Sequence, residues 1–189
     1  MALTKLTPTT NDCSTTLTDV GGIAKLYFNK VVNMHQSTPL TFGTADIITA
    51  ITIAGLGGEF VEFPFQFDSK KRTAKLKTTE STENGRLTCK SEIEFGVNGM
   101  NATQRDALVT FMNQCACGVV CVAIMLNGQI EIIGVEKTAL LANPVFPDGA
   151  EHDRGVMTTD SNNKTIKLVC NGSTPPYYLT NLAVLTAVL

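Results

Sequence analysis

The chain has 189 residues, is 43% hydrophobic, and carries 15 Lys and Arg against 17 Asp and Glu, for a formal net charge of −2. That length suits one domain, or one domain with extensions, and the apolar content can bury a sizeable core. A near-neutral balance excludes a general basic surface for nucleic-acid phosphates. Trp is absent and Tyr scarce, which argues against a platform for stacking sugars or bases.

Residues 1–19 are rich in Thr, Ser and Asn and read as a flexible N-terminal arm. They show no charged segment followed by an apolar run, so no signal peptide is expected. The late apolar run, Leu179 to Leu189, is shorter than the roughly 20 residues a membrane helix needs. The expectation is a protein made and kept in the cytosol until something else moves it. Cysteines stand at 13, 89, 115, 117, 121 and 170. They read as reduced thiols serving as small hydrophobes, with no disulfide framework.

Gly21-Gly22 makes a turn, and Ile23, Leu26, Phe28, Val31 and Val32 mark a first strand. Asn33 to Thr41 is a polar loop, and the β-branched Ala45 to Ala54 is strand-like. After a turn at Gly55-Leu56-Gly57-Gly58, the residues Val61, Phe63, Phe65 and Phe67 alternate with polar ones. Pro64 places this strand at an edge or a bulge. Ser69 to Lys77 is basic, Asn84-Gly85 is a hairpin signal, and Leu87, Cys89, Ile93, Phe95 and Val97 alternate with Thr88, Lys90, Glu92 and Glu94. This is a long polar hairpin, about 70–95, that projects from the domain. Asn101, with Gln104 in the capping-box position, starts a helix. Ala107, Leu108, Phe111, Met112 and Cys115 form its apolar stripe, and Gly118 stops it.

Val119 to Leu126 is a continuous apolar run, followed by the Asn127-Gly128 turn and a return strand to Val135. Thr138 to Val156, rich in Ala, Pro, Gly and acid, reads as a long loop. Thr165 to Cys170 is a final alternating strand. Beyond Pro175-Pro176 the tail, as a strand or short helix, is expected to pack on its own domain or on a neighbour. The fold class is mainly β: an antiparallel β-sandwich or barrel of about seven or eight strands, with one flanking α-helix at about 102–115. Domain limits are 20–172, with a C-terminal extension at 173–189.

Candidates for chemistry are few. Cys115, Cys117 and Cys121 lack the second Cys/His pair a structural zinc needs, and His35 and His152 are far off in sequence, so helix-end packing is the stronger reading. The Gly55–Gly58 turn is followed by strand period, not by the helix a pyrophosphate site requires. Asp148, Glu151, His152 and Asp153 share a loop and could hold a hard cation or work as acid and base, but a solvated or subunit-contacting loop is commoner. Glu92 and Glu94 fall on one strand face and could form a carboxylate pair, but a charged outer face is the more frequent case. If that face lined a channel, its negative charge would repel DNA phosphates. The run Lys70 to Lys77 lacks interleaved aromatics, and Glu80 and Glu83 lie across the turn, which suits docking to another copy better than nucleic acid. No enzyme, catalytic residue, cofactor or metal is expected.

The order of elements resembles bacteriophage tail tube proteins, with relatives among contractile-injection and type VI secretion tubes, especially of phages infecting Bacteroidetes-type hosts. The likeness runs from Gly-Gly-Ile-Ala-Lys-Leu-Tyr through EFVEFPFQF, the polar hairpin KLKTTESTENGRLTCKSEIEF, the helix after Asn98-Gly99-Met100 and the strand VVCVAIML. It ends with the late strand beginning at Asn162-Asn163. The resemblance implies a hexameric ring that stacks on copies of itself into a tail tube for genome ejection, with other phage tail proteins as partners. DNA would pass through the lumen without specific binding, no membrane would be involved, and assembly would take place in the host bacterial cytoplasm. The hairpin, the N-terminal arm and the tail would make contacts within and between rings. A tail completion or terminator ring, a contractile-injection tube, and a β-sandwich binding module are the alternatives.

Overall fold

The computed structural model describes residues 22–55, 58–63, 74–83, 85–98, 102–137, 141–153 and 163–189. The expected N-terminal arm, the basic residues Lys70 to Arg72 and the helix cap Asn101 lie outside them.

Two antiparallel sheets form the body. The first contains β1 (Ile23–Lys30), β4 (Val61–Phe63), β7 (Val119–Met125), β8 (Ile130–Ile133) and β11 (Tyr177–Tyr178), in the order β11-β8-β7-β1-β4. The second contains β5 (Ala74–Glu83), β6 (Arg86–Asn98), β9 (Phe146–Asp153) and β10 (Asn163–Gly172), in the order β5-β6-β10-β9. A small hairpin of β2 (Leu40–Phe42) and β3 (Ile48–Ile51) stands apart. The helices are α1 (Ala102–Cys115) and the short α2 (Leu182–Thr186).

The five-stranded sheet is buried on both faces. Leu26 and Phe28 of β1, with Cys121 and Ala123 of β7, face the four-stranded sheet and meet Ile93, Phe95, Ile166 and Leu168. Tyr27, Val120, Val122 and Ile132 point the other way, into a second core closed by Ile48, Ile51, Leu179, Leu185 and Val188. This explains why VVCVAIM is a continuous apolar run: side chains alternate between faces, and neither face meets water. The helix α1 closes one end of the sandwich. Its Leu108 and Cys115 are buried, and the Phe111 ring lies 5.0 Å from Phe28 and 4.6 Å from Phe63.

The turn signals act as local chemistry requires. The Asn127 side chain accepts from the Gln129 N–H at 3.0 Å, while Gly128 takes φ +85°. Pairing of Glu83 with Arg86 leaves a two-residue hairpin loop, with Gly85 at φ +75°. Gly118 ends α1 at φ +85°, and a Cβ there would sit 2.8 Å from Pro144 Cγ.

The structure corrects several expectations. The mainly β class and the long hairpin are present, but the described residues hold eleven strands and a second short helix. Thr138 to Val156 is not one long loop. Phe146–Asp153 is a strand paired along β10, with a bulge at Asp148 where the register jumps from Gly149 to Pro147. Pro147 and the left-handed Gly149, at φ +145°, hid that strand from pattern reading. Ala45 to Ala54 is only partly strand: Thr44–Asp46 is a 3-10 turn in which Ala45 and Asp46 take positive φ. The tail packs on its own domain. Leu179 N–H bonds Ile130 O, Thr180 N–H bonds Ile48 O, and Phe60 N–H bonds Val188 O, so the last residues span the five-stranded sheet.

Leu185 is fully buried. Leu185→Ala is therefore expected to lower unfolding stability by about 2–5 kcal/mol in urea titration, whereas a loose tail would change it by less than about 0.5 kcal/mol. Gly118→Ala is expected to destabilise as well, because the added methyl meets both a left-handed backbone and the Pro144 ring.

Candidate functional site

The surface that best fits a function is the four-stranded sheet. Its inner residues belong to the core, so its outer face, its two edges and its hairpin overhang remain available for contact.

Pairing puts Lys75 opposite Glu94, Lys77 opposite Glu92 and Thr79 opposite Lys90, with Lys167, Val169 and Asn171 on the far side of β6. The outer face is thus a cross-strand lattice of opposite charges. Lys75 Nζ lies 3.1 Å from Glu94, and Lys90 Nζ lies 2.7 Å from Glu92. The Lys90 ammonium holds the Glu92 carboxyl below its usual range, with Lys77 and Lys167 adding to the effect. Glu92 and Glu94 therefore do not form an acidic patch. Cations interleave them, and the expected repulsion of phosphates does not follow from this face.

At both edges of the sheet a second strand partner is lacking among the described residues, since β5 and β9 each pair with one neighbour only. The edge strand β5 begins Ala-Lys-Leu-Lys, whereas β9 reads FPDGAEHD and so carries three acids and one His. The hairpin overhang is short. Last in the β6–β10 register is Cys89 with Gly172, so only the pairs Ser81–Thr88, Thr82–Leu87 and Glu83–Arg86 extend beyond it, roughly 10 Å of two-stranded ribbon. Leu87 continues the inner apolar face past the core and is 45% exposed. Most of the expected projecting arm is therefore body of the sheet.

A cavity of about 290 Å³ opens between α1 and the edge strand β4, lined by Phe28, Phe63, Phe111 and Gln114 among others, with Val61 exposed on it. A second, wider concavity of about 740 Å³ lies on the outer face where β5 and β6 run out towards the hairpin tip.

The structure separates most sequence candidates. Cys115 and Cys121 are buried in the inter-sheet core while Cys117 is exposed, and the described residues contain no group of three ligands that could hold a metal. Burial pushes the Cys115 thiol up to about 12 and Cys170 to about 11, and raises Cys121 well above its ordinary value. Asp148 sits exposed at the β9 bulge. Glu151, His152 and Asp153 follow it on the same strand, and their side chains lie outside the described residues. His35 Nδ1 serves the Thr38 loop, accepting its N–H at 3.1 Å. In the Gly55–Gly58 turn, Leu56 and Gly57 lie outside the described residues, and β4 follows, not a helix.

Sequence reading missed Glu136. It is 5% exposed, accepts the Ser173 N–H at 2.6 Å, and lies against Gly172, where a Cβ would come within 2.8 Å of its carboxylate. It ties the start of the tail to the end of β8. Nothing local in Val135-Glu136-Lys137 signals that role, because its partner is 37 positions away.

Comparison of the chain with protein-family models, with curated proteins and with solved structures finds no match.

The thiols give a direct check. Alkylation of the native protein at pH 8 is expected to modify Cys117 and spare Cys89, Cys115, Cys121 and Cys170 until denaturant is added, as read by peptide mass mapping. The buried thiols stay protonated in the folded state after the unfolded chain ionises. Stability is therefore fully present below about pH 9 and falls as pH rises towards 12. Denaturation curves across that window should move to lower urea, and a flat profile would contradict the burial.

Proposed function

We propose that this chain is a structural virion protein: a self-assembling subunit of a hexameric ring that stacks into a phage tail tube. The four-stranded sheet carries the reading. Neighbouring strands in it are antiparallel, and their number is even, so β5 and β9 run in opposite senses. The β9 edge of one copy can therefore pair antiparallel with the β5 edge of an identically oriented copy. The interface is heterologous, and such contacts close into rings when the rotation closes. The lysines of β5 and the acids of β9 favour the contact and fix its direction. An unpaired edge is a ready template for pairing with another chain.

In this arrangement the charge lattice of the outer face lines the channel, and the helix and second core form the outer wall. The overhanging tip, with Leu87 at its end, reaches towards the next ring. The C-terminal tail is already occupied within its own subunit, which among the described residues favours the sheet edges and the hairpin as assembly surfaces. DNA passes through the lumen, and the assembled protein resides in the virion tail.

Electron microscopy of the purified full chain is expected to show rings or tubes. A charge-swap test addresses the contact itself. Asp148→Lys with Glu151→Lys, and separately Lys75→Glu with Lys77→Glu, should each abolish assembly. Mixing the two variants in equal amounts should restore rings of alternating subunits. A protein that stays monomeric at high concentration, or rings indifferent to both variants, would sink the reading.

A further inference from the structure

We infer that the concavity on the outer face of β5 and β6 is a binding site for the phosphodiester backbone of nucleic acid, held by charge without regard to sequence. The chain as a whole is acidic, yet this concavity of about 740 Å³ gathers Lys77, Arg86 and Lys90 against one carboxylate in its lining, Glu92. The strand period produces the cluster. Arg86, Thr88 and Lys90 alternate along one face of β6, and Lys77 and Thr79 lie across from Glu92 and Lys90 on β5. Lys90 is engaged by Glu92 at 2.7 Å and also feels the charge of Asp148. Lys77 faces Glu92 and helps hold its carboxyl down, Arg86 makes no ion pair among the described residues, and both cations are exposed.

Three cations against one carboxylate on a concave wall, beside the exposed neutral donors Thr79 and Asn171, match the chemistry of phosphate contacts. Those contacts come from Arg, Lys, Thr and Asn side chains and position a backbone without reading its bases. No aromatic side chain lines the concavity, so bases are not stacked there, and the site would not favour one sequence over another. The inference does not require the ring reading. If rings do form with this face inward, each copy adds the same weak contact, which would brake the passing nucleic acid without capturing it.

Fluorescence anisotropy of a labelled duplex DNA with the full-length protein tests this, while microscopy reads assembly separately. Binding is expected at 50 mM salt and should weaken roughly 10- to 40-fold at 200 mM, the loss for two or three neutralised phosphates. Arg86→Gln with Lys90→Gln, both on β6 and outside the proposed edge contact, should reduce affinity at 50 mM salt at least about 10-fold and flatten the log–log salt slope by about two. The melting temperature should stay put, since both side chains are exposed. Lys25→Gln, on the other sheet, should leave binding unchanged. The inference is overturned by absence of binding at 50 mM salt or by affinity indifferent to the double substitution. Displacement by inorganic phosphate at matched ionic strength would assign the site to a free anion and overturn it too. So would loss of self-association in the double variant with DNA binding intact, which would assign the concavity to a second copy.

Discussion

Burial of the five-stranded sheet on both faces is the constraint on which the rest of the structure depends. A sandwich needs one covered face per sheet, but here β1 and β7 carry apolar or hydrogen-bonded side chains on both. Inward, Phe28 joins Phe95, Phe63 and Phe111 in one aromatic cluster. Outward, Tyr27 is buried with its hydroxyl bonded to Glu62 at 3.1 Å, and the buried Asn29 amide donates to Gly58 O. Neither core can form without the central strands, and those strands would expose a largely apolar face if either cover were missing.

The second cover is assembled from distant chain segments: the β2–β3 hairpin before the main sheet is complete, and the tail after it. Tyr177 stacks edge-on against Phe42 at 5.1 Å and accepts the Lys137 N–H. Lys137 itself pairs with Asp46 and stands over the Phe42 ring. The carboxylate of Glu136 holds the turn that launches the tail. These contacts draw on three separated parts of the chain, so the tail packs with the domain.

The division of labour between the two sheets follows. The five-stranded sheet, sealed above and below, supplies stability. The four-stranded sheet is sealed on one face only and presents a polar outer face, unpaired edges and a hairpin tip. On that outer face Glu92 and Glu94 each have a lysine within reach, and Lys77, Arg86 and Lys90 line the concavity where β5 and β6 leave the third strand behind.

Local pattern was enough for the features whose physics is local. The period of two in β6 and β10, the helical stripe ending in Cys115, and the Asn-Gly turns could all be read directly, because side-chain alternation and positive-φ preference need no distant partner. The strand Phe146–Asp153 was not legible: its bulge, its proline and its acids violate strand propensity, and only pairing to β10 makes it a strand. The two-sided burial of β7 and the tail's docking on Ile48 and Ile130 were decided by tertiary packing alone. So was the net sign of the Glu92–Glu94 face. Sequence placed those carboxylates and Lys90 on one side of a strand, but Lys75, Lys77 and Lys167 come from neighbouring strands, and only the sheet register brings them alongside.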